Sequence, residues 1–171
     1  MTGHTPERDE EGYRAPHHTA ATHRSAGSDD SIESAHLNVL LPFDATVAGI
    51  ARTAVSRIFG DDRGADEGGV ALACTEMVTN ALLHGSPPIV LDLDLDLSKT
   101  DPAVEITVTD GGAALMPRTG REEQGPEEWG RGLLIVDSLA VKSSLDIGTA
   151  GTRAWCRLPL SAPPAPPAPV P

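Results

Sequence analysis

The chain has little of what marks most specialised classes. Only two cysteines occur in 171 residues, Cys74 and Cys156, and neither belongs to a CxxC pair. That excludes a disulfide framework and a cysteine-based zinc site. No apolar run approaches the ~18 residues that a membrane-spanning helix needs. The opening residues MTGHTPERDEEG lack the apolar stretch of a secretion signal, so a cytoplasmic protein is expected. Positive charge is also scarce. Thirteen Lys and Arg stand against 25 Asp and Glu, a formal net charge of −12. This argues against a nucleic-acid partner held mainly by phosphate contacts.

What is present divides into three parts. Residues 1–34 are polar, with no apolar periodicity before Leu37, and read as a disordered arm. His4, His17, His18 and His23 lie in that arm, and a metal site there would have to order a loose chain. They read as solvated. Residues 161–171, SAPPAPPAPVP, read as an extended tail with few backbone donors. The stretch 35–160 between them has the size of one ordinary domain.

Within that domain, HLNVLL (36–41) reads as a strand closed by Pro42. Asp44 is placed as an N-cap for a helix whose stripe is Val47, Ile50, Ala51, Ala54, Val55 and Ile58, with Gly60 ending it. A second helix is expected from Asp66 to Leu83, stopped by Gly85 and Pro87. IVLDLDLDL (89–97) alternates strictly, leucines on one face and Asp92, Asp94 and Asp96 on the other. Alternate strand side chains stand roughly 7 Å apart, too far to converge on one calcium ion, so the aspartates read as a solvated face.

AVEITVTD (103–110) reads as the partner strand. From Gly111 to Gly130 periodicity fails, and a loop that long is usually functional or disordered. A short helix RGLLIVDSLA and a closing hairpin, 142–147 with 151–160, complete the order. Together these predict an α/β sandwich, a mixed and mostly antiparallel sheet with helices on one face.

Three clusters carry chemistry. In CTEMVTNALLHG (74–85), Glu76, Asn80 and His84 follow one another at four-residue steps. Each step turns the helix only ~40° past a full circle, so they form one line beside the apolar stripe. A carboxylate beside an amide oxygen suits a hard cation and a polarised hydroxyl, although a cap or salt bridge would also use the glutamate. In VTDGG (108–112) an acid ends a strand, and two glycines let the backbone turn and approach a ligand. The aspartate could accept a hydrogen bond from an exocyclic amine, or simply make an Asp-Gly turn. In WGRGLLIV (129–136) glycines straddle Arg131 where a helix begins, an arrangement that favours phosphate. Arg131 could equally pair with Glu127 and Glu128.

The order ExxxNAxxHG, DGG about 34 residues on, GRGLxxV and a final GT resembles the GHKL (Bergerat-fold) ATPases over residues 36–160. Within them it is most similar to the short anti-sigma regulatory kinases. The resemblance implies ATP and Mg²⁺ as cofactors. It makes Asn80 the Mg²⁺ ligand and Glu76 the general base toward a partner's serine or threonine hydroxyl. Asp110 would bind the adenine amine, and Gly112 would make room for the ring. Gly130, Arg131, Gly132 and Leu133 would close on the phosphates. Thr152 would help to hold adenine, usually through water.

The implied partners are a sigma factor and a STAS-type antagonist of the anti-sigma factor. The implied activity is serine/threonine phosphorylation; the alternative is a partner-switch module that binds nucleotide without transferring phosphate. Relatives often form homodimers, but no stretch of sequence announces a surface for one. The chain departs from the pattern at Ala114 and Trp129, where glycines are common in relatives, and places four glutamates between residues 122 and 128.

Overall fold

The computed structural model describes residues 20–26, 32–60, 66–97, 100–112, 131–148 and 151–161. Expectations for residues 113–130, for most of the arm and for the tail from 162 onward lie outside them. The elements are β1 (Ala20–Ala26), β2 (Ile32–Leu41), α1 (Val47–Phe59), α2 (Glu67–His84), β3 (Ile89–Asp96), β4 (Ala103–Asp110), α3 (Arg131–Leu139), β5 (Lys142–Gly148) and β6 (Gly151–Pro159). The six strands lie in the order β1-β2-β3-β4-β6-β5. Among the described residues every pairing is antiparallel, so the expected mixed sheet shows no parallel pair there.

Period-two alternation decides which face of the sheet is covered. Ile89, Leu91, Leu93 and Leu95 of β3 are buried. They lie beside Leu37 and Val39 of β2 and Val104, Ile106 and Val108 of β4, all buried and paired with them in register. The helices lie over this face. α1 buries Val47, Ala51, Ala54, Val55, Ile58 and Phe59, and α2 buries Val70, Ala73, Cys74, Met77, Val78 and Ala81. Each large aliphatic side chain so buried stabilises the fold by roughly 1.5–3 kcal/mol.

The opposite face carries a polar ladder. Asn38 donates to Asp92 at 2.5 Å, and His36 Nδ1–H donates to Asp94 at 2.7 Å. Both are cross-strand neighbours, so the aspartates expected to be merely solvated are also cross-braced. Further along, Glu105 accepts from Arg157 at 2.8 Å and from Trp155 Nε1 at 3.2 Å.

Two boundaries differ from the sequence reading. Asp44 does not cap α1. Its carboxylate accepts the Thr46 N–H at 2.8 Å and the Thr46 hydroxyl at 2.5 Å, closing a turn before the helix starts at Val47. The arm expected to be disordered contributes β1 and the first residues of β2. β1 joins the sheet by backbone pairing with β2, a bond pattern that needs no apolar alternation in its own sequence.

Candidate functional site

Helix α2 positions the first part of the site. Met77, Val78 and Ala81 anchor it in the core, which leaves Glu76 and Asn80 half-buried along its border and His84 exposed at its end. The first turn of α3 rests on that border. A Cβ built on Gly132 would lie 2.7 Å from Glu76 Oε2, 3.5 Å from Asn80 Nδ2 and 3.7 Å from Asn80 Oδ1. Glu76, Asn80 and Gly132, far apart in sequence, therefore meet at one point. Only a residue without a side chain fits there while Glu76 keeps its place.

The second part lies at the C-terminal end of the same helix. Gly85 N–H closes α2 on Ala81 C=O at 2.9 Å. A Cβ on Gly85 would lie 2.6 Å from both carboxylate oxygens of Asp110, so the aspartate is seated against bare helix-end backbone. Gly111 N–H donates to Ser86 C=O at 2.7 Å, and Gly112 N–H donates to Asp110 Oδ1 at 2.6 Å. Gly112 has φ +89°, a conformation that favours glycine, and a Cβ there would lie 3.2 Å from Gly151 Cα. Thr152 is the cross-strand partner of Asp110. The five residue steps from Asn80 to Gly85 span about 7.5 Å at the helical rise, so the two parts line a single edge.

Of the residues singled out from sequence, Glu76, Asn80 and Gly132 meet at one point, and Asp110, Gly112 and Thr152 at the other. Leu133 is half-buried on α3. Arg131 opens α3, but its side chain and Gly130 lie outside the described residues. The sequence reading used Gly85 only as a helix stop and motif residue, and gave no role at the site to Ser86 or Gly151. Gly151 has φ +152°, and a Cβ on it would lie 2.5 Å from Asp110 C=O. Its signal was present as the glycine before Thr152 in GTAGT.

Both thiols lie in the core rather than at this edge. Burial pushes Cys74 up to about 12, with Cys156 adding to the effect. Burial also pushes Cys156 up to about 12, with Asp137 nearby adding to the effect. Cys156 Sγ–H points to Met77 Sδ at 3.5 Å. Neither is a nucleophile at neutral pH. Among the described residues no three of His, Cys, Asp and Glu gather as a metal site. None is required for an Mg²⁺ ion bound through one side chain and the substrate's phosphates.

An antiparallel sheet under helices, with an acid and an amide on α2 facing a glycine of α3 and an Asp-Gly-Gly strand end beside them, defines a GHKL-type ATPase domain. Residues 44–158 match the family described as Histidine kinase-like ATPase domain, and the chain belongs to that family. A solved Mycobacterium tuberculosis protein comprising RsbU and RsbW domains is similar, with TM-score 0.55 and 21% identity over 74% of this chain. A blue-light activated histidine kinase of Erythrobacter litoralis gives TM-score 0.41 and 21% identity over 71% of this chain. This chain covers 33% of the first and 42% of the second. A search of curated proteins gives no match. No described helix is long and apolar enough to cross a membrane.

Proposed function

We propose that the chain is an ATP-dependent protein serine/threonine kinase of the anti-sigma regulatory type. It would bind a sigma factor and phosphorylate a STAS-type antagonist, in the cytoplasm where both partners and ATP are found. The observation that carries this reading is the meeting of Glu76 and Asn80 with Gly132. It places a carboxylate beside an amide at the helix turn where the resemblance puts the phosphates.

The residues fit Mg²⁺-ATP. Gly112 and Gly151 pack backbone against backbone beside Asp110, and Gly112 would border the adenine ring. Asp110 would accept from the adenine amine, with Thr152 across the strand pair as a second polar group. Asn80 would offer its amide oxygen to Mg²⁺, while Gly130, Arg131, Gly132 and Leu133 would border the phosphates. When bound, Mg²⁺-ATP supplies the phosphoryl group and neutralises its charge.

Glu76 then has the remaining task of orienting the partner's hydroxyl and accepting its proton. Glu76 lies one helical turn before Asn80, so the proposed base would stand beside the proposed metal ligand. Phosphoryl transfer depends on such positioning more than on covalent chemistry.

The test is transfer of label from ATP to candidate antagonists in Mg²⁺, beside Glu76→Gln and Asn80→Ala. The kinase reading expects transfer by the wild type, strong loss in Glu76→Gln with nucleotide still bound, and weakened nucleotide binding in Asn80→Ala. Capture of a sigma factor without any transfer would sink the kinase and leave a nucleotide-binding switch module.

A further inference from the structure

Two glycines beside Asp110 are not explained by backbone conformation. Among the described glycines only Gly60, Gly112 and Gly151 have positive φ. Gly85 sits at φ −93° and ψ −167°, extended backbone that any residue adopts. Ending α2 there does not require a glycine. What excludes a side chain is Asp110: a Cβ on Gly85 would meet its Cγ and stand 2.6 Å from each of its carboxylate oxygens. Gly111 repeats the pattern from the end of β4. A Cβ on it would lie 2.6 Å from Pro87 C=O and 2.8 Å from Ser86 Oγ.

Residues 85–87, in the link from α2 to β3, therefore form a cradle for the Asp110-Gly111 peptide. Ser86 C=O accepts the Gly111 N–H at 2.7 Å. Gly151 of β6 also closes in, where a Cβ would lie 2.5 Å from Asp110 C=O. The carboxylate itself is held twice. Its equal distances from the Gly85 position, with Cγ nearer still, set Gly85 over the face of the group rather than beside one oxygen. Oδ1 accepts the Gly112 N–H at 2.6 Å. That leaves Oδ2, which has no hydrogen-bond partner among the described residues.

We infer that Gly85 is a positioning residue for base recognition. By leaving the carboxylate face bare it fixes where Asp110 Oδ2 points, and so the preference for a purine with an exocyclic amine over one with an oxygen at that position. The inference rests on the nucleotide reading of the site. A carboxylate oxygen only accepts, so it pairs with an amine and repels a carbonyl. Such discrimination depends on aim. Ordinary contact begins near 3.4 Å, so a methyl at position 85 must push the carboxylate back by about 0.8 Å. Oδ1 then parts from the Gly112 N–H, or Oδ2 turns away from the ring. In this role Gly85 acts through Asp110.

The full chain is tested by calorimetric titration in Mg²⁺ with ATP and with inosine triphosphate, which has an oxygen in place of the amine. The variants are Gly85→Ala, Asp110→Ala, the double variant and Gly68→Ala. The last adds a methyl to the same helix at a place with nothing within 4 Å. Wild type and Gly68→Ala should prefer ATP by about tenfold or more. Gly85→Ala should bring that ratio close to one, by weakening ATP and leaving inosine triphosphate little changed. In the Asp110→Ala background the same methyl should change neither constant, because the atoms it would meet are gone.

Denaturant titration of the same proteins reads the contact without nucleotide. The methyl at position 85 should cost stability beside Asp110 and not in the Asp110→Ala background. A Gly85→Ala protein that keeps the preference for ATP, that weakens both nucleotides alike, or that loses as much stability in both backgrounds overturns the positioning role alone. A wild type that binds neither nucleotide, or both equally, overturns the nucleotide reading of Asp110 and this role with it.

Discussion

Helices α1 and α2 lie side by side on the same sheet, yet they do different work. α1 is amphipathic in the ordinary sense. Its stripe is buried, while Arg52, Thr53 and Arg57 face solvent. α2 also buries a stripe, but its bordering residues Glu76 and Asn80 are only half-exposed, because α3 packs over them. α1 packs on the sheet and on α2, and the polar residues on its outer face serve solubility. α2 has α3 packed on it as well, so polar groups along that margin are held in place, and the proposed chemistry lies there. α1 is therefore expected to be read out in stability, and the α2 margin in activity.

The sharpest break between the two comes from Glu76→Gln. Loss of a positioned base lowers transfer by about 10²–10⁴-fold, and the melting temperature should stay close to wild type. On α1, Ile58→Ala should do the converse. Ile58 is fully buried, so removing its side chain costs about 2–5 kcal/mol in denaturant titration, with transfer per folded molecule unchanged.

α2 also carries a pH-dependent part of the stability through Cys74. Folded Cys74 and Cys156 hold their protons up to about 12, while the unfolded thiols titrate near 9. The unfolded state thus binds fewer protons between about pH 9 and 12, and stability falls as pH rises through that window. Each thiol contributes a slope of about 1.4 kcal/mol per pH unit at most. Cys74→Ala should make the decline shallower, which chemical denaturation at several pH values would show. The smallest effect belongs to Gly132→Ala. The added methyl meets the movable end of Glu76, so it should displace the carboxylate at little cost in stability and lower transfer by about tenfold.

Sequence legibility follows the same division. The core was readable because β3 and α2 repeat at periods of 2 and 3.6. The line Glu76–Asn80–His84 was readable because it lies on one helix. Strand β1 was not, since AATHRSA has no apolar alternation and owes its state to the edge of β2. Asp44 was misplaced because an aspartate two residues before a threonine closes its own turn as readily as it caps a helix. The seating of Asp110 on Gly85, like the contact of Gly132 with Glu76, joins residues 25 or more apart; glycine marks such places without naming the partner.

The central claim is that the margin of α2 and the end of β4 form one Mg²⁺-ATP site. Its most direct test is the melting temperature of wild type, Asn80→Ala and Asp110→Ala with and without Mg²⁺-ATP. At a hundredfold excess over Kd, the wild type should rise by about 5–10 °C. Asn80→Ala and Asp110→Ala should rise far less. No rise in the wild type, or an equal rise in all three proteins, would contradict the site.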